Sequence, residues 1–378
     1  MKRLGCLMLA LLLLLSSSAL AEYDQYKLTA EDPTTVDFWD VFPLDAHNVI
    51  LKARNPNGGR WHVAWYRDGE LIRELWPAGT FDNYSRTTPD PVIGQDGLAG
   101  VLCYVQDGVQ NFTAEGTPVG PNALAQWTDN GLEDITLLTE RFMGSPADNR
   151  MILYEFEDGI RVWQNGKDRL LTGDLAAELR DGYSNSMPLG DDVFLFRVIH
   201  WDEGEAYYIC VDHGKERYRV PVVSAGLLCQ ADGRGGFLFQ EYTDRQKYDP
   251  VRLYHFDENG NQDRTFELQG NRVVVTMDRV YTDPETGLLT LYGSAMANSR
   301  QIYNVFAITL DSDWNTVSLD VRKIDAAYKA YDASVSVAPD GSPWVLIYNP
   351  RDPEKITPAL VPFSLLEQNS SNLGLSLR

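Results

Sequence analysis

The chain has 378 residues, and its 54 acidic against 33 basic residues give a formal net charge of −21 at pH 7. A surface this acidic repels phosphate groups, which argues against nucleic acid and anionic membranes as partners. The functions that remain open for this negative charge are solubility, accumulation of cations and attraction of basic partners.

The first 21 residues have the pattern of a secretory signal peptide. Lys2 and Arg3 precede an apolar run from Leu7 to Leu15, and Ala19-Leu20-Ala21 is a small-x-small cleavage pattern. The apolar run is too short to cross a bilayer. We therefore expect cleavage after Ala21, a secreted or extracytoplasmic protein without membrane insertion, and a single domain over residues 22–378.

The rest of the chain repeats one unit of about four short strands. In the clearest copy, over 41–79, apolar runs are separated by the loop 55–59 and by the turn 67–70. Similar units cover 86–120, 135–172, 184–221, 226–269, 275–321 and 331–366. A period of this length is typical of propeller blades. The sequence predicts an all-β protein, a β-propeller of seven four-stranded blades, with six or eight left open because prolines thin the strands of the second unit.

Gly-containing dipeptides such as Asp158-Gly159, Asn259-Gly260 and Asp340-Gly341 supply the positive φ angles of the tight turns. One short helix is expected over 174–180. The last unit lacks a fourth strand, and a closed ring needs one to cover the sheet edge. Either 23–29 or 373–377 supplies it, and we favour the N-terminal segment.

Three cysteines follow the signal peptide, so at least one thiol stays unpaired within the monomer. Cys210 and Cys229 lie in neighbouring units, where a disulfide between them is compatible with an oxidising compartment. The alternative is that all three cysteines are small buried hydrophobic residues.

The phrase from Ser336 to Ile347, with Asp340-Gly341 and Trp344 inside it, resembles the blade phrase of secreted bacterial propellers of the streptogramin-lyase-like and NHL-like families. The resemblance is strong in this one unit. It implies a turn at Asp-Gly and a Trp packed between blades, and it carries no catalytic residue.

The longer loops between the second and third strands of each unit are the predicted binding surface, since they surround one mouth of the central channel. They and their flanks hold arginines and aromatic residues suited to carboxylates, sugars or peptides. The predicted ligand-binding residues are Arg54, Arg60, Trp61, Trp201, Tyr242, Arg245, Tyr248, Arg300 and Arg351.

For acid–base chemistry the strongest pattern is His200 with Asp202 and Glu203 in one loop, a weak signal because glycosidases hold two carboxylates about 5–10 Å apart across a cleft. The segment Asp257–Asp263 has oxygen ligands at alternate positions but departs from a calcium loop, and a hairpin turn explains it better. No metal site and no cofactor are predicted.

The sequence therefore favours a non-catalytic binding or interaction propeller that engages a glycan, peptide or protein at the channel mouth. A carbohydrate-active enzyme, a glycosidase or lyase, is the first alternative, and it requires ionisable groups from different blades to converge on one pocket. A structural cell-surface protein is the second, and it requires a narrow channel filled by apolar side chains.

Overall fold

The computed structural model describes residues 38–54, 61–68, 70–76, 92–93, 101–106, 111–112, 118–119, 122–128, 131–138, 142–144, 151–156, 159–164, 167–200, 204–222, 228–241, 248–297, 302–325, 330, 332–348, 359–370 and 372–378. These residues form seven antiparallel sheets of three to five strands and one separate two-stranded hairpin. Within each of the seven sheets, neighbouring strands are consecutive in the chain. The exceptions are the strands added from the C-terminal tail and the hairpin inserted in the second sheet.

The first four sheets have four strands each. The first contains β1 (Phe38–Pro43), β2 (Asn48–Arg54), β3 (Trp61–Arg67) and β4 (Glu70–Trp76). The second contains β5 (Val92–Ile93), β6 (Val101–Gln106), β9 (Asn122–Thr128) and β10 (Gly131–Leu138), with the hairpin β7 (Asn111–Phe112) and β8 (Pro118–Val119) inserted after β6. The third contains β11 (Phe142–Gly144), β12 (Met151–Phe156), β13 (Gly159–Gln164) and β14 (Lys167–Leu171). After helix α1 (Gly173–Gly182), the fourth contains β15 (Tyr183–Gly190), β16 (Val193–His200), β17 (Glu205–Asp212) and β18 (Lys215–Pro221).

The last three sheets depart from four strands. The fifth contains β19 (Leu228–Ala231), β20 (Phe237–Gln240), β21 (Val251–Phe256), β22 (Gln262–Gln269) and, from the C-terminal end, β31 (Ser376–Leu377). The sixth contains β23 (Val273–Thr282), β24 (Leu289–Ala297), β25 (Ile302–Leu310), β26 (Thr316–Lys323) and β30 (Glu367–Gln368). The seventh contains β27 (Asp332–Val337), β28 (Pro343–Tyr348) and β29 (Ala359–Pro362), and the 3₁₀ turns Phe363–Leu365 and Asn372–Gly374 lie in the C-terminal tail.

Both faces of a sheet are buried against neighbouring sheets, which distinguishes a propeller from a two-layer sandwich. In β16, Phe194 and Phe196 pack into a cluster shared with the third sheet, whereas Leu195 packs into a cluster shared with the fifth. Two further clusters join the fifth sheet to the sixth and the sixth to the seventh. Because strand side chains alternate between faces, a run such as Val193–His200 serves both interfaces and reads as nearly continuous apolar sequence. The all-β propeller prediction is confirmed.

The predicted uniform set of seven four-stranded blades is wrong, since the seventh sheet has three described strands and the fifth and sixth have five. The extra strands come from the C-terminal tail, which runs back along the outer edges of the sixth and fifth sheets. The less favoured of the two expected closures of the last sheet, by 373–377, is therefore wrong. The favoured segment, 23–29, lies outside the described residues.

The predicted helix is present and extends over Gly173–Gly182. Asp174 in its first turn and Arg180 in its last turn match the sign of the helix dipole. Ala176 and Leu179, three residues apart on one side of the helix, are buried in the cluster between the third and fourth sheets. The helix thus covers the outer part of that interface.

Hydrogen bonds between residues almost 300 positions apart join the first sheet to the seventh. The indole Nε1 of Trp344 donates to the carbonyl oxygen of Asp45 at 3.1 Å. The backbone N–H of Ala46 donates to Asp340 Oδ2 at 3.2 Å, while Asp340 Oδ1 accepts the N–H of Ser342 within its own turn. The expected role of Asp340-Gly341 as a turn and of Trp344 as an interblade residue agrees with this geometry.

A buried imidazole joins the fifth sheet to the sixth. His255 Nε2 lies 3.0 Å from Asp232 Oδ2, and His255 Nδ1 lies 2.5 Å from Asp263 Oδ1. The ring also packs on Trp314 of the sixth sheet, with ring centroids 4.4 Å apart. Burial alone would lower the pKa of His255, but the two carboxylate hydrogen bonds outweigh it and raise the pKa above the ordinary 6.5.

Two substitutions of Trp344, which is 1% exposed, distinguish the contribution of its packing from that of its hydrogen bond where the first sheet meets the seventh. Trp344→Phe keeps an aromatic ring in place and loses the bond to Asp45, so we expect the free energy of unfolding to fall by about 1 kcal/mol. Trp344→Ala also leaves a cavity, for which we expect a loss of about 3–5 kcal/mol. Urea unfolding monitored by circular dichroism measures both, and equal losses in the two variants would contradict this division.

His255 makes the stability depend on pH. Because its folded-state pKa is raised, the stabilisation is fully present below pH 6.5 and is lost as the pH rises through the folded pKa. We expect His255→Gln to lower the free energy of unfolding by about 3 kcal/mol at pH 6 and by less at pH 9, measured by urea unfolding at each pH. His47→Gln is the control, because His47 pairs with Asp68 at the surface, where solvent screens the pair. A loss for His255→Gln that is the same at both pH values would show that folding does not raise the pKa of His255.

Candidate functional site

The first strands of five sheets lie next to one another around the axis of the ring, as contacts of β1 with β27, β27 with β23, β23 with β19 and β19 with β15 show. Each sheet begins with its first strand running in the same sense, so the C-terminal ends of these strands meet at one face of the ring. A cavity of about 270 Å³ lies there, between the ends of β1, β15, β19, β23 and β27. We call it the channel-mouth cavity.

The described lining of the channel-mouth cavity combines fixed backbone with hydrogen-bonding side chains. Its prolines are Pro43, Pro188, Pro284 and Pro339, and their rings restrict φ near the ends of β1, β15, β23 and β27. Its polar side chains are those of Gln230, Arg279, Tyr281, Thr282 and Ser336. Among the described lining residues there is one cation and no carboxylate or imidazole, so these groups suit recognition of an anionic or hydroxyl-bearing ligand.

A β-bulge in β23 sets the direction of the side chains in this wall. The register with β24 shifts between Met277 and Arg279. Before the shift, Val275 and Met277 pack towards the fifth sheet; after it, Val280 packs there and Tyr281 packs towards the seventh. The extra residue reverses the alternation of the strand, as bulges do near binding sites.

The residue at the bulge, Asp278, ties two inner strands together. Its Oδ2 accepts the backbone N–H of Val335 in β27 at 2.9 Å. Next to it, the ring of Tyr281 packs so closely on Gly341 that a Cβ there would lie 2.7 Å from Cε1 and Cζ. Gly341 also has a φ of +87°, which favours glycine. The seventh sheet thus positions the part of β23 that lines the cavity.

At the end of β23, Thr282 connects the cavity wall to the hydrogen bonds between Asp232 and His255. Its Oγ1 donates to the carbonyl oxygen of Asp232 at 2.5 Å. Asp232 Oδ1 accepts the backbone N–H groups of Arg234 and Gly236 at 2.7 and 2.9 Å. Because Asp232 is 2% exposed and its other oxygen faces His255, this wall is held by buried hydrogen bonds.

The strand ends that flank the loops predicted to bind ligand lie at the opposite mouth of the channel, and most residues of these loops lie outside the described part of the chain. This applies to Arg60, Trp201, Tyr242, Arg245, Arg300 and Arg351. Arg54 and Trp61 are paired across the ends of β2 and β3, but their side chains are not among those described. Tyr248 is 48% exposed. The described residues therefore do not bring the predicted set together, and it stays a prediction.

His200 takes part in a hydrogen-bond network with residues far from it in sequence, while Asp202 and Glu203 lie outside the described residues. His200 Nε2 lies 2.8 Å from the Tyr207 hydroxyl, which donates to Glu178 of α1. Arg219 donates to both oxygens of Glu178 at 2.7 and 2.9 Å, and its guanidinium lies 4.6 Å from the centre of the Tyr207 ring. The network ties α1 to the fourth sheet.

The protonation states of the residues in this network indicate a structural role. Burial and the hydrogen bond to Glu178 raise the pKa of Tyr207 to about 12. Burial would raise the pKa of Glu178, but hydrogen bonds from Arg219 and Tyr207 lower it below its ordinary value. Near neutral pH Tyr207 is therefore a neutral donor and Glu178 a carboxylate. Neither is poised to exchange a proton at that pH.

The structure also tests two further interpretations of the sequence, the disulfide of Cys210 and the segment from Asp257. Cys210 is a free, buried thiol whose pKa is raised by burial, so no disulfide to Cys229 is formed. The segment from Asp257 is a hairpin turn in which Asp257 Oδ1 accepts the N–H groups of Asn259 and Asn261, each at 2.8 Å. Within the described part of the chain no group of three His, Cys, Asp or Glu residues could hold a metal ion, and no helix is long and apolar enough to cross a membrane.

Sequence reasoning missed Arg279, Tyr281 and Thr282 because it placed binding residues in long loops. The available signal was the pair Asp278-Arg279, which interrupts a strand that is otherwise apolar or β-branched. Two adjacent charged residues inside a buried strand are hard to accommodate unless a bulge changes the alternation.

No family model matches the chain, and no curated protein sequence matches it either. The streptogramin-lyase-like and NHL-like resemblance therefore rests on one blade phrase. The chain is similar to propellers among solved structures at low identity. A complex of KlAtg21 with the coiled coil of AgAtg16 is matched at 11% identity over 84% of this chain and 96% of that chain, with a TM-score of 0.47.

Two other solved structures are similar to the chain at comparable values. Kluyvelomyces marxianus Hsv2 is matched at 11% identity over 87% of this chain and 97% of that chain, with a TM-score of 0.41. A eukaryotic initiation factor is matched at 9% identity over 88% and 89% of the two chains, with a TM-score of 0.39. No function is transferred from these structures, and the fold assignment stands on the sheets and their packing.

Proposed function

We propose that this protein is an exported, seven-bladed binding module that holds a carboxylate-bearing ligand or peptide segment in the channel-mouth cavity. The observation that carries the proposal is the convergence of five inner strands on a cavity whose described lining has Arg279 among hydroxyl and amide side chains. Guanidinium groups bind carboxylates through paired hydrogen bonds, and hydroxyl groups add directional contacts.

Two features of the wall favour binding in this cavity. Partly buried hydrogen bonds hold β23 from both sides, through Asp278 to Val335 and through Thr282 to Asp232. The prolines restrict the backbone at the rim. A wall fixed before the ligand arrives loses little conformational entropy on binding.

The alternatives differ from this proposal in the groups they require. A glycosidase needs two carboxylates across the cleft, and the described lining contributes none. A purely structural propeller needs a filled apolar channel, whereas this mouth is open and partly polar. The binding module is thus the function that the geometry supports best.

The first experiment is a screen of the mature chain, residues 22–378, on an array of glycans, peptides and small carboxylates. The cavity variant is Arg279→Gln, and the variant of the opposite mouth is Arg54→Ala with Arg245→Ala and Arg351→Ala. We expect Arg279→Gln to weaken binding of the selected ligand by about tenfold or more, because a hydrogen bond to a charged group contributes about 1.5–3 kcal/mol. Isothermal titration calorimetry measures the change.

Arg264→Gln is the matched control, since Arg264 is exposed on the outer strand β22. It should bind like the original chain. A ligand weakened only by the triple variant would place binding at the opposite mouth and overturn the cavity assignment. Absence of any ligand would favour the structural alternative, and N-terminal sequencing of secreted protein should give Glu22 if the leader is cleaved as proposed.

A further inference from the structure

A second cavity, of about 220 Å³, lies between the third and fourth sheets. It is bordered by the end of β13, by the β15–β16 turn at Asp191 and Asp192, and by the β17–β18 turn at His213. Because β13, β15 and β17 are first or third strands, they end at the same face of the ring as the channel-mouth cavity. We call this second cavity the interblade cavity.

The two cavities adjoin along β15. Pro188 lines the channel-mouth cavity, and its partner across the β15–β16 pair is Phe194, which lines the interblade cavity. The Cα atoms of residues paired in this way are about 4.5–5.5 Å apart. Asp191, three residues after Pro188, also lines the interblade cavity. One flexible ligand that lies on this face of the ring can therefore reach both cavities.

The interblade cavity has an apolar floor with one buried amide. Val162 and Phe194, which form the floor, are 0% and 1% exposed. Gln164 is 9% exposed, and its Nε2 donates to the carbonyl oxygen of Gly190 at 3.4 Å. Within the described part of the chain, no donor bonds to Gln164 Oε1. A buried acceptor without a donor costs free energy, so an N–H group of a ligand at this position is stabilising.

The charged groups of the interblade cavity are held by contacts within and between the two sheets. Arg169 of the third sheet donates to both oxygens of Asp192 in the fourth, through Nε at 2.8 Å and through Nη2. His213 Nδ1 lies 2.5 Å from Asp212 Oδ1, and His213 Nε2 lies 3.9 Å from Asp192 Oδ2. The exposed Asp191 lines the same cavity. Three carboxylates thus lie close to one guanidinium and one imidazole.

The two cavities therefore favour groups of opposite charge. The channel-mouth cavity suits a carboxylate, whereas the interblade cavity suits an ammonium or guanidinium group on an aliphatic stem. The apolar floor covers the stem, and Gln164 Oε1 and the carboxylates accept the N–H groups. A polypeptide carries both signs of charge on one flexible chain. An acidic polysaccharide carries one sign, and the net charge of −21 repels it.

The distance between the charged groups fits a short peptide. From Arg279 in β23 to Pro188 in β15 a ligand crosses at most two sheet spacings of about 10 Å. From Pro188 to Asp191 the chain spans about 10 Å, since each residue contributes about 3.3–3.6 Å. An extended peptide of up to about nine residues therefore connects the two ends.

We propose that the channel-mouth and interblade cavities are two subsites of one peptide-binding surface. An extended peptide places a carboxylate beside Arg279 and the side chain of a lysine or arginine in the interblade cavity, with its cationic group beside Asp191. The carboxylate end of this assignment rests on the proposed function, whereas the cationic end rests on the interblade cavity.

Isothermal titration calorimetry of synthetic peptides on the mature chain, residues 22–378, tests the proposal. The probes are acetyl-Lys-(Gly)n with a free C-terminal carboxylate, where n runs from one to ten, and acetyl-Asp-(Gly)n-Lys-amide, which presents the charges in the opposite direction. In control probes norleucine replaces lysine, which keeps the stem and removes the cation. We expect the affinity to pass through a maximum at an intermediate n, with the best peptide binding at least tenfold more tightly than its norleucine counterpart.

Variants of the protein assign the two ends of the peptide. Asp191→Asn should weaken the best lysine peptide by about tenfold and leave its norleucine counterpart unchanged, whereas Arg279→Gln should weaken both. Asp181→Asn is the matched control, because Asp181 is an exposed carboxylate on α1, at the opposite face of the ring. It should bind both probes like the original chain.

Three results would overturn the proposal. Binding that depends on Arg279 but not on spacer length or Asp191 would restrict the site to the channel-mouth cavity and keep the proposed function. Peptide binding that Arg279→Gln leaves unchanged would remove the proposed function and the paired subsites together. An oligosaccharide from the array that both Arg279→Gln and Asp191→Asn weaken, while the peptides do not bind, would assign the surface to a glycan.

Discussion

The structure depends on aspartate carboxylates that accept backbone N–H groups inside the tight turns. Asp45, Asp232, Asp257, Asp311 and Asp340 each begin such a turn. The bonds fix the turn and thereby the register of the strands on either side. Where a second atom of the same residue bonds outside the turn, the turn also joins two sheets, as Asp340 does through Ala46 and as the carbonyl oxygen of Asp232 does through Thr282.

This arrangement gives a local explanation for part of the negative charge of the chain. Hydrogen bonds from backbone N–H groups stabilise the charged form of a carboxylate, and they lower the pKa of Asp283, and of Asp311 together with the side chain of Asn315. For Asp45, burial would raise the pKa, but hydrogen bonds from Asn48 and His47 outweigh it and lower the pKa. Turns of this kind surround the channel-mouth cavity, so its single described guanidinium lies inside a rim of engaged carboxylates.

Local patterns predicted the strands, the turns and the helix, because alternation, Gly-containing dipeptides and the run 174–180 are determined by nearby residues. They did not predict the number of strands per sheet, since β30 and β31 pair with strands whose chain positions are distant. The site was missed for a related reason. Arg279 faces the cavity because of a bulge, whose local signal is the pair Asp278-Arg279, and because first strands from five sheets converge, which no single segment encodes.

The bonds between the first and seventh sheets span sequence separations of 294 and 299 residues. Contacts of such separation form late, because the entropy of closing the intervening chain must be lost before they can stabilise anything. On the ribosome, the first sheet therefore has to wait until almost the whole chain has been synthesised before its inner strand meets a partner on that side. During this interval the apolar side chains of Val41, Phe42 and Tyr66, which are buried in the folded protein, are not yet fully covered. Folding of this protein is therefore expected to be slow and to depend on chaperones that shield the early sheets.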